Sequence, residues 1–494
     1  MKRALLLLTF CIITFLTIAQ PCKEVVGYYP NWQWYKRNHL VQPSSIAYTK
    51  YSVINYCFFS PQGSGLIATT DSWADQNLLQ GQTNWSTTPT SYYPNTSIID
   101  LAHNAGTRVM VSVGGWTLSD SFPAIAASAS KRAVFAGECN RLIRFYHFDG
   151  IDIDWEYPCY VAHSGTPGDK HNFTLLLQQI RDSITALGAV NHTTYRLSAC
   201  FSADPGNASN IEWANISTIL DRVNLMTYDF FGAWDAIANA NSPLYAPVVG
   251  NPAYSINSAF LLLTQTYHVP SAKINLGVPF YGRSQTGATG LYQSTSGQSD
   301  NSTFSADAGS PSYYNVVGSM TLFNDHWDDT AKVPYLLGKP AGSAAGTFVS
   351  YDNQKSVALK AQYILNNNAS GAIIWELTGD YMETSSGSGI VAGTPLLDTL
   401  NYAFCHPLST DIKNEVTGTD LLLYPNPTEG RTTLMWYYSE PAVLEIYNDR
   451  GWLVCSQIIV HGENSLHLDN QAPGMYFIRA QAKDVYYNSK IVKQ

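Results

Sequence analysis

Charge is scarce in this chain. Only 13% of its 494 residues are Asp, Glu, Lys or Arg, and no basic run lies between the first residues and the C-terminal end. With a net charge of −9 and no such run, the chain is poorly suited to nucleic acid or an anionic membrane as a partner. No apolar stretch after the first twenty residues has the length of a membrane helix. CxxC pairs and Cys/His clusters at metal-ligand spacing are missing, so neither a metal nor a cofactor is expected. Internal repeats and low-complexity tracts are absent as well. What remains is 45% hydrophobic, the composition of a globular protein, and 494 residues exceed one ordinary core, so two or more domains are expected.

The N-terminus reads as an export signal. Lys2 and Arg3 precede an apolar run over 4–18, too short to span a bilayer comfortably, and Ala19 supplies the small residue a signal peptidase needs. A signal peptide is expected at 1–19. The residues before Cys22 do not form a lipobox, so no membrane anchor is expected. Cys11 leaves with the leader. Cys22, Cys57, Cys139, Cys159, Cys200, Cys405 and Cys455 then form an odd set, with at least one free or paired elsewhere.

From residue 23 to 404, short β-branched runs alternate with longer helical stretches. Strands are expected at 25–29, 51–59, 108–113, 150–155, 195–201, 223–228, 274–280 and 371–376, with helices such as 173–187 and 356–365 between them. Eight strands in that rhythm predict an α/β fold, a (β/α)8 TIM barrel. The last two strands stand far apart, and the Gly-, Ser- and Tyr-rich stretch 284–347 reads as a small α+β insertion between strands 7 and 8. Residues 406–420 form a polar linker. From 421 to 494 the strands come short and close, the pattern of a small C-terminal β-sandwich.

The chemistry concentrates in Phe148-Asp149-Gly150-Ile151-Asp152-Ile153-Asp154-Trp155-Glu156-Tyr157-Pro158. Side chains alternate along a strand, so Asp152, Asp154 and Glu156 share one face and Ile151, Ile153 and Trp155 the other. The apolar face belongs against the helices, which sends the acids into the barrel toward its C-terminal mouth. Like-charge repulsion among them raises at least one pKa, and a Glu protonated near neutrality is what general-acid cleavage of a glycosidic bond requires. Twelve Trp and 32 Tyr add flat faces suited to stacking on sugars, although core packing claims a share of them. Asp149 has the opposite parity and is read as structural, Trp155 as core, and the lone His147 and His171 are assigned nothing.

The segment resembles the DxxDxDxE signature of glycoside hydrolase family 18, the chitinases and related enzymes, through Asp149, Asp152, Asp154 and Glu156. Ser112-Val113-Gly114-Gly115-Trp116 resembles the SxGG motif ending the third strand, and Met226-Thr227-Tyr228-Asp229 the MxYD motif of the sixth. Trp375 sits where the family keeps a Trp under the −1 sugar, Tyr28 where a first-strand tyrosine is expected, and Trp327-Asp328-Asp329 with Val333-Pro334-Tyr335 resemble the chitinase insertion domain. The resemblance implies substrate-assisted catalysis: Glu156 as acid, Asp154 on the acetamido N–H, Asp152 behind it, and Tyr228 on the acetamido oxygen with Asp229 beside it. Tyr28, Gly114, Gly115, Trp116, Tyr157, Met226, Trp234 and Trp375 complete the implied substrate-binding set. For Gly114 and Gly115 a tight strand-to-helix turn is an equal reading, while for Trp116 and Trp234 sugar contact is favoured over packing.

The tail has its own resemblance. Tyr424-Pro425-Asn426-Pro427, Gly430, Pro473-Gly474-Met475-Tyr476 and Lys490-Ile491-Val492-Lys493 are similar to a type IX secretion sorting domain. This implies secretion machinery as a partner, beside a chitin or chito-oligosaccharide substrate, and an extracellular destination. Were the tail a carbohydrate-binding sandwich instead, Trp436 and Trp452 would be its platforms. For the barrel the competing readings are an endo-β-N-acetylglucosaminidase and a chitin-binding lectin, and the lectin typically lacks the glutamate that stands here at 156.

Overall fold

The computed structural model describes residues 22–81, 93–406, 422–436, 440–449, 452–482 and 485–494. The expected signal peptide and nearly all of the expected linker lie outside the described residues. Two compact units emerge, ending and beginning at Leu408 and Ser409.

The first unit is a closed parallel barrel. Its strands are β1 (Glu24–Pro30), β2 (Val53–Pro61), β3 (Arg108–Gly114), β4 (Gly150–Asp154), β5 (Arg196–Ser202), β6 (Arg222–Met226), β7 (Ile274–Pro279) and β8 (Gly371–Trp375). Each pairs with its successor, and β1 closes the ring on β8 with Glu24 opposite Gly371 and Val26 opposite Ile373. The alternation predicted for these strands separates two cores. Outward residues such as Val109, Val111, Ile151 and Ile153 join the large core beneath the helices. Inward ones such as Val26, Tyr28, Met110 and Cys200 fill a smaller core inside the ring. Trp155 is buried among the outward set, stacked on Phe122 at 5.3 Å and edge-on to Phe173.

The helix over Asp169–Asn191 contains the expected 173–187 and buries Phe173, Leu176, Leu177, Ile180, Ile184 and Leu187, one stripe at three-to-four spacing. The helix Gln354–Asn366 starts at a capping box between Asn353 and Ser356. Among the described residues no helix is long and apolar enough to cross a membrane. Between β7 and β8 the strands Arg283–Thr286, Phe323–Asp328, Val333–Gly338 and Thr347–Ser350 form one antiparallel sheet, accompanied by the short helix Tyr313–Gly318. This is the α+β insertion.

The second unit stacks a three-stranded and a four-stranded sheet over a core that includes Leu434, Trp436, Ile446, Leu466 and Ile478. Trp436 is fully buried there, its indole N–H on the Glu440 carbonyl at 2.7 Å, which removes it as a sugar platform. Trp452 is exposed.

Cys22 and Cys405 form a disulfide across a sequence separation of 383, with Cα atoms 5.1 Å apart. Among the described residues the remaining cysteines are free, and Cys57, Cys139 and Cys200 are buried. A cross-link over so long a loop restricts the unfolded chain strongly, a contribution of about 2–5 kcal/mol. Cys405→Ser should therefore lower the urea midpoint of barrel unfolding, and reductant should move the wild type to the same place. Coincident curves for oxidised wild type and the variant would show that the bond contributes nothing.

Candidate active site

The barrel ladder stops just short of the reacting groups. Strand β4 ends at Asp154, β6 at Met226 and β8 at Trp375, so Glu156 and Tyr228 project from the first residues beyond the strands. The ends expected from sequence at 155, 228 and 376 were a residue or two too long. In a (β/α)8 barrel that is where loops, rather than ladder hydrogen bonds, set side-chain positions.

Asp152 lies at the centre of the ring with no solvent contact. Its Oδ2 accepts from Tyr28 Oη at 3.0 Å and Ser112 Oγ at 2.8 Å, and its Oδ1 from Ser198 Oγ at 2.5 Å and Asn224 Nδ2 at 3.1 Å. Burial raises its pKa, and these four donors pull it back. Asp154, one step nearer the mouth, is held well above the usual carboxylate range by burial first and by the neighbouring Glu156 and Asp152 second. Its Oδ1 is buried and has no partner. Glu156 is raised to about 7, chiefly by burial and further by Asp229, against hydrogen bonds from the Tyr157 hydroxyl and the Trp116 backbone N–H. A carboxyl group still protonated near pH 7 beside an unsatisfied acceptor can deliver a proton while its neighbour holds a donor of the substrate.

The sixth-strand motif is braced from two sides. Asp229, in the left-handed region at φ 58°, receives a bidentate Arg283 guanidinium at 2.8 and 2.7 Å and the Tyr281 hydroxyl at 2.6 Å. Behind it, the buried pair of Lys360 and Asp352 reaches Ser242 Oγ, which in turn donates to the Thr227 carbonyl at 2.6 Å. Tyr228 is thus carried on a backbone fixed by buried polar bonds.

A cleft of about 1250 Å³ opens over these groups, larger than the usual small-molecule pocket. Every residue of the catalytic and substrate-binding sets implied by the resemblance lines it except Asp152, Gly114 and Gly115. The two glycines meet a packing need: both have positive φ, and a Cβ on Gly114 would stand 2.2 Å from the Asp154 carbonyl oxygen, while one on Gly115 would press the Phe58 ring. Gly115 N–H donates to that same Asp154 carbonyl at 2.7 Å. Asp149 is structural as expected, accepting from Val109 N–H and bonded to His103. His147 caps its helix in the left-handed region, and His171 pairs with Glu212.

Trp375 lines the cleft, 5.9 Å from Tyr28 and stacked at 5.8 Å on Phe58, which meets Trp32 at 6.1 Å. Trp116 and Trp234 stand half exposed or more at the rim, 50% and 60%. Trp32, Phe58, Asp204, Tyr254 and Arg283 also line the cleft and were not anticipated. Phe58 sits near the end of β2, Arg283 opens the first insertion strand, and Trp32, Asp204 and Tyr254 lie in the segments beyond the barrel strands, so their approach to the cleft depends on tertiary folding. Only the unusual density of Trp and Tyr hinted at them.

A (β/α)8 barrel whose mouth holds a glutamate of raised pKa in an aromatic groove has the site of a glycoside-cleaving enzyme. Residues 24–380 match the model described as glycosyl hydrolases family 18, and residues 422–494 that described as a secretion system C-terminal sorting domain. The chain is 36% identical to Chitinase A1 of Niallia circulans over 406 residues, 73% of this chain and 57% of that protein. It is 30% identical to Endochitinase 1 of Metarhizium robertsii over 365 residues, 72% of this chain and 80% of that protein. The solved structure of chitinase ChiA74 from Bacillus thuringiensis matches with a TM-score of 0.68 at 27% identity, covering 96% of this chain and 85% of that one. The chain belongs to glycosyl hydrolases family 18.

Because Asp229 raises Glu156, its neutralisation should act on the acid directly. Carboxyl-carbon NMR should place the Glu156 midpoint near 7. Asp229→Asn should shift that midpoint to lower pH. An unmoved or rising midpoint would remove Asp229 from the electrostatics of the acid.

Proposed function

We propose that the protein is a secreted chitinase that hydrolyses β-1,4 linkages between N-acetylglucosamine units with retention, the substrate's acetamido group serving as nucleophile. The carrying observation is the Asp154 Oδ1 atom, buried without a partner in the wall of the cleft beside a Glu156 poised near pH 7. A buried acceptor left unmet costs free energy, and the N–H of an N-acetyl group on a bound sugar is a donor of the right kind.

In this reading Glu156 gives its proton to the glycosidic oxygen. The acetamido carbonyl oxygen attacks the anomeric carbon as the bond to the leaving sugar breaks, forming an oxazolinium ion. Asp154 accepts the acetamido N–H, with Asp152 supporting it, and the carboxylate left on Glu156 balances the positive charge. Tyr228 donates to the acetamido oxygen, and Asp229, held by Arg283, keeps the acid's pKa high. Glu156, now a carboxylate, takes a proton from the water that opens the ring from the original face. Trp375 carries the −1 sugar, Tyr28 and Met226 line that part of the cleft, Tyr157 steadies the acid, and Trp116 and Trp234 serve sugars farther along. Holding the internal nucleophile in place removes much of the entropic barrier of a bimolecular attack.

The relatives named as chitinases and endochitinases support chitin as the substrate, and the size of the cleft suits a polymer chain. For the ends of the chain we propose a signal peptide at 1–19, type IX secretion directed by 421–494, and removal of the tail within the linker 406–420.

Glu156→Gln retains shape but cannot donate a proton. Turnover of chitin oligomers should fall by at least about 10²-fold while oligomer binding persists. Wild-type turnover in a verified variant would dismiss Glu156 as the acid. An oligomer deacetylated only at the −1 sugar should be inert, and NMR should show β-anomers as initial products. Rapid cleavage of the deacetylated oligomer, or a covalent glycosyl-enzyme on any Asp or Glu, would contradict the acetamido nucleophile. Mass spectrometry of the extracellular protein from its native host should find a C-terminus between 406 and 420, and intact tail peptides at full abundance would overturn the maturation reading.

A further inference from the structure

We infer that His163 is a positioning residue that joins the sugar platform Trp116 to the main chain of the acid Glu156. The inference rests on the chitinase reading above. Glu156 lies beyond β4, whose ladder contacts with β3 and β5 end at Asp154 and Ile153, so no strand neighbour holds its peptide groups. Two side chains do so instead. Glu156 N–H donates to Ser119 Oγ at 2.9 Å, and the Glu156 carbonyl accepts from His163 Nδ1 at 2.6 Å. A carbonyl has no proton to give, so Nδ1 carries the hydrogen and the tautomer is set by this bond.

The same imidazole meets the Trp116 ring edge-on, with centroids 4.5 Å apart and planes at 62°. Tyr160 closes the group, 5.7 Å from Trp116 and 5.3 Å from His163. The local fold does not need the imidazole for its own sake. The turn Val161–His163 is closed by backbone bonds from His163 N–H and Gly165 N–H to the Tyr160 carbonyl and from Ser164 N–H to the Val161 carbonyl. The ring's described contacts go to the acid's carbonyl and to the aromatic pair. One ring atom therefore fixes the peptide from which the acid hangs, and the ring's body backs the platform on which a sugar leans.

Two substitutions separate the two contacts. In His163→Asn, Nδ2 stands where Nδ1 was and retains the hydrogen bond, but the ring is gone. In His163→Phe the ring remains and the donor is lost. With chitohexaose, His163→Phe should lower kcat about tenfold with KM little changed, the size expected when one hydrogen bond that places a reacting group is lost. His163→Asn should raise KM about threefold with kcat within about twofold, since ring support for Trp116 is worth roughly one aromatic contact. Circular dichroism establishes that both variants are folded. Equal losses in both variants, or no change in either, would overturn the inference. Should a variant fail to fold, nitrogen-15 NMR of the wild type decides: a protonated Nδ1 in a strong hydrogen bond is expected, and an unprotonated Nδ1 at pH 7 to 8 overturns it. Failure of the wild type itself to cleave chitohexaose would instead count against the chitinase reading.

Discussion

A carboxylate at the centre of the ring, Asp152, is the group around which the rest of the site is arranged. Burial pushes its pKa up. Tyr28 from β1, Ser112 from β3, Ser198 from β5 and Asn224 from β6 each donate to it, so half the barrel's strands converge on two oxygen atoms. That convergence constrains the register of the ring, because a slip of one residue in any of these strands would turn its donor outward. Asn224 in turn accepts from Asn275 on β7, extending the polar chain to another strand. Next to Asp152, Asp154 is raised by burial first, then by Glu156 and by Asp152, so the three acids set one another's environment at the mouth.

The sequence makes this inner architecture legible because alternation on a strand is a strict rule. Ile151, Ile153 and Trp155 could only face the helices, which left Asp152 and Asp154 facing inward. All eight barrel strands fell within a few residues of their expected positions for the same reason: a strand buried on both faces has a distinctive β-branched texture. The tail was legible as closely spaced strands, whereas the burial of Trp436 was not, because a lone tryptophan on a short strand looks the same whether it faces the core or the solvent.

The outer cleft was much less legible. Trp32 follows β1, Phe58 lies near the end of β2 and Arg283 belongs to the insertion, and nothing in their local sequence says which of them will reach the mouth. The hydrogen bond from His163 to Glu156 spans only seven residues, yet it depends on a loop conformation with no periodicity to read. Gly114 and Gly115 show the converse. Their motif was visible, while its meaning, a close approach of the β3 end to the Asp154 carbonyl, needed coordinates.

Cys22 lies just ahead of β1, and Cys405 is the last residue of the helix Pro395–Cys405. The bond between them makes the barrel unit a covalent loop whose only free chain lies outside it. Proteolytic trimming on either flank therefore meets a knot of sulfur before it meets any strand, and the terminal strand and terminal helix, the places where a barrel would ordinarily begin to fray, are denied loose ends. That closure would convert loss of the flanking segments from a threat to the barrel into a harmless step.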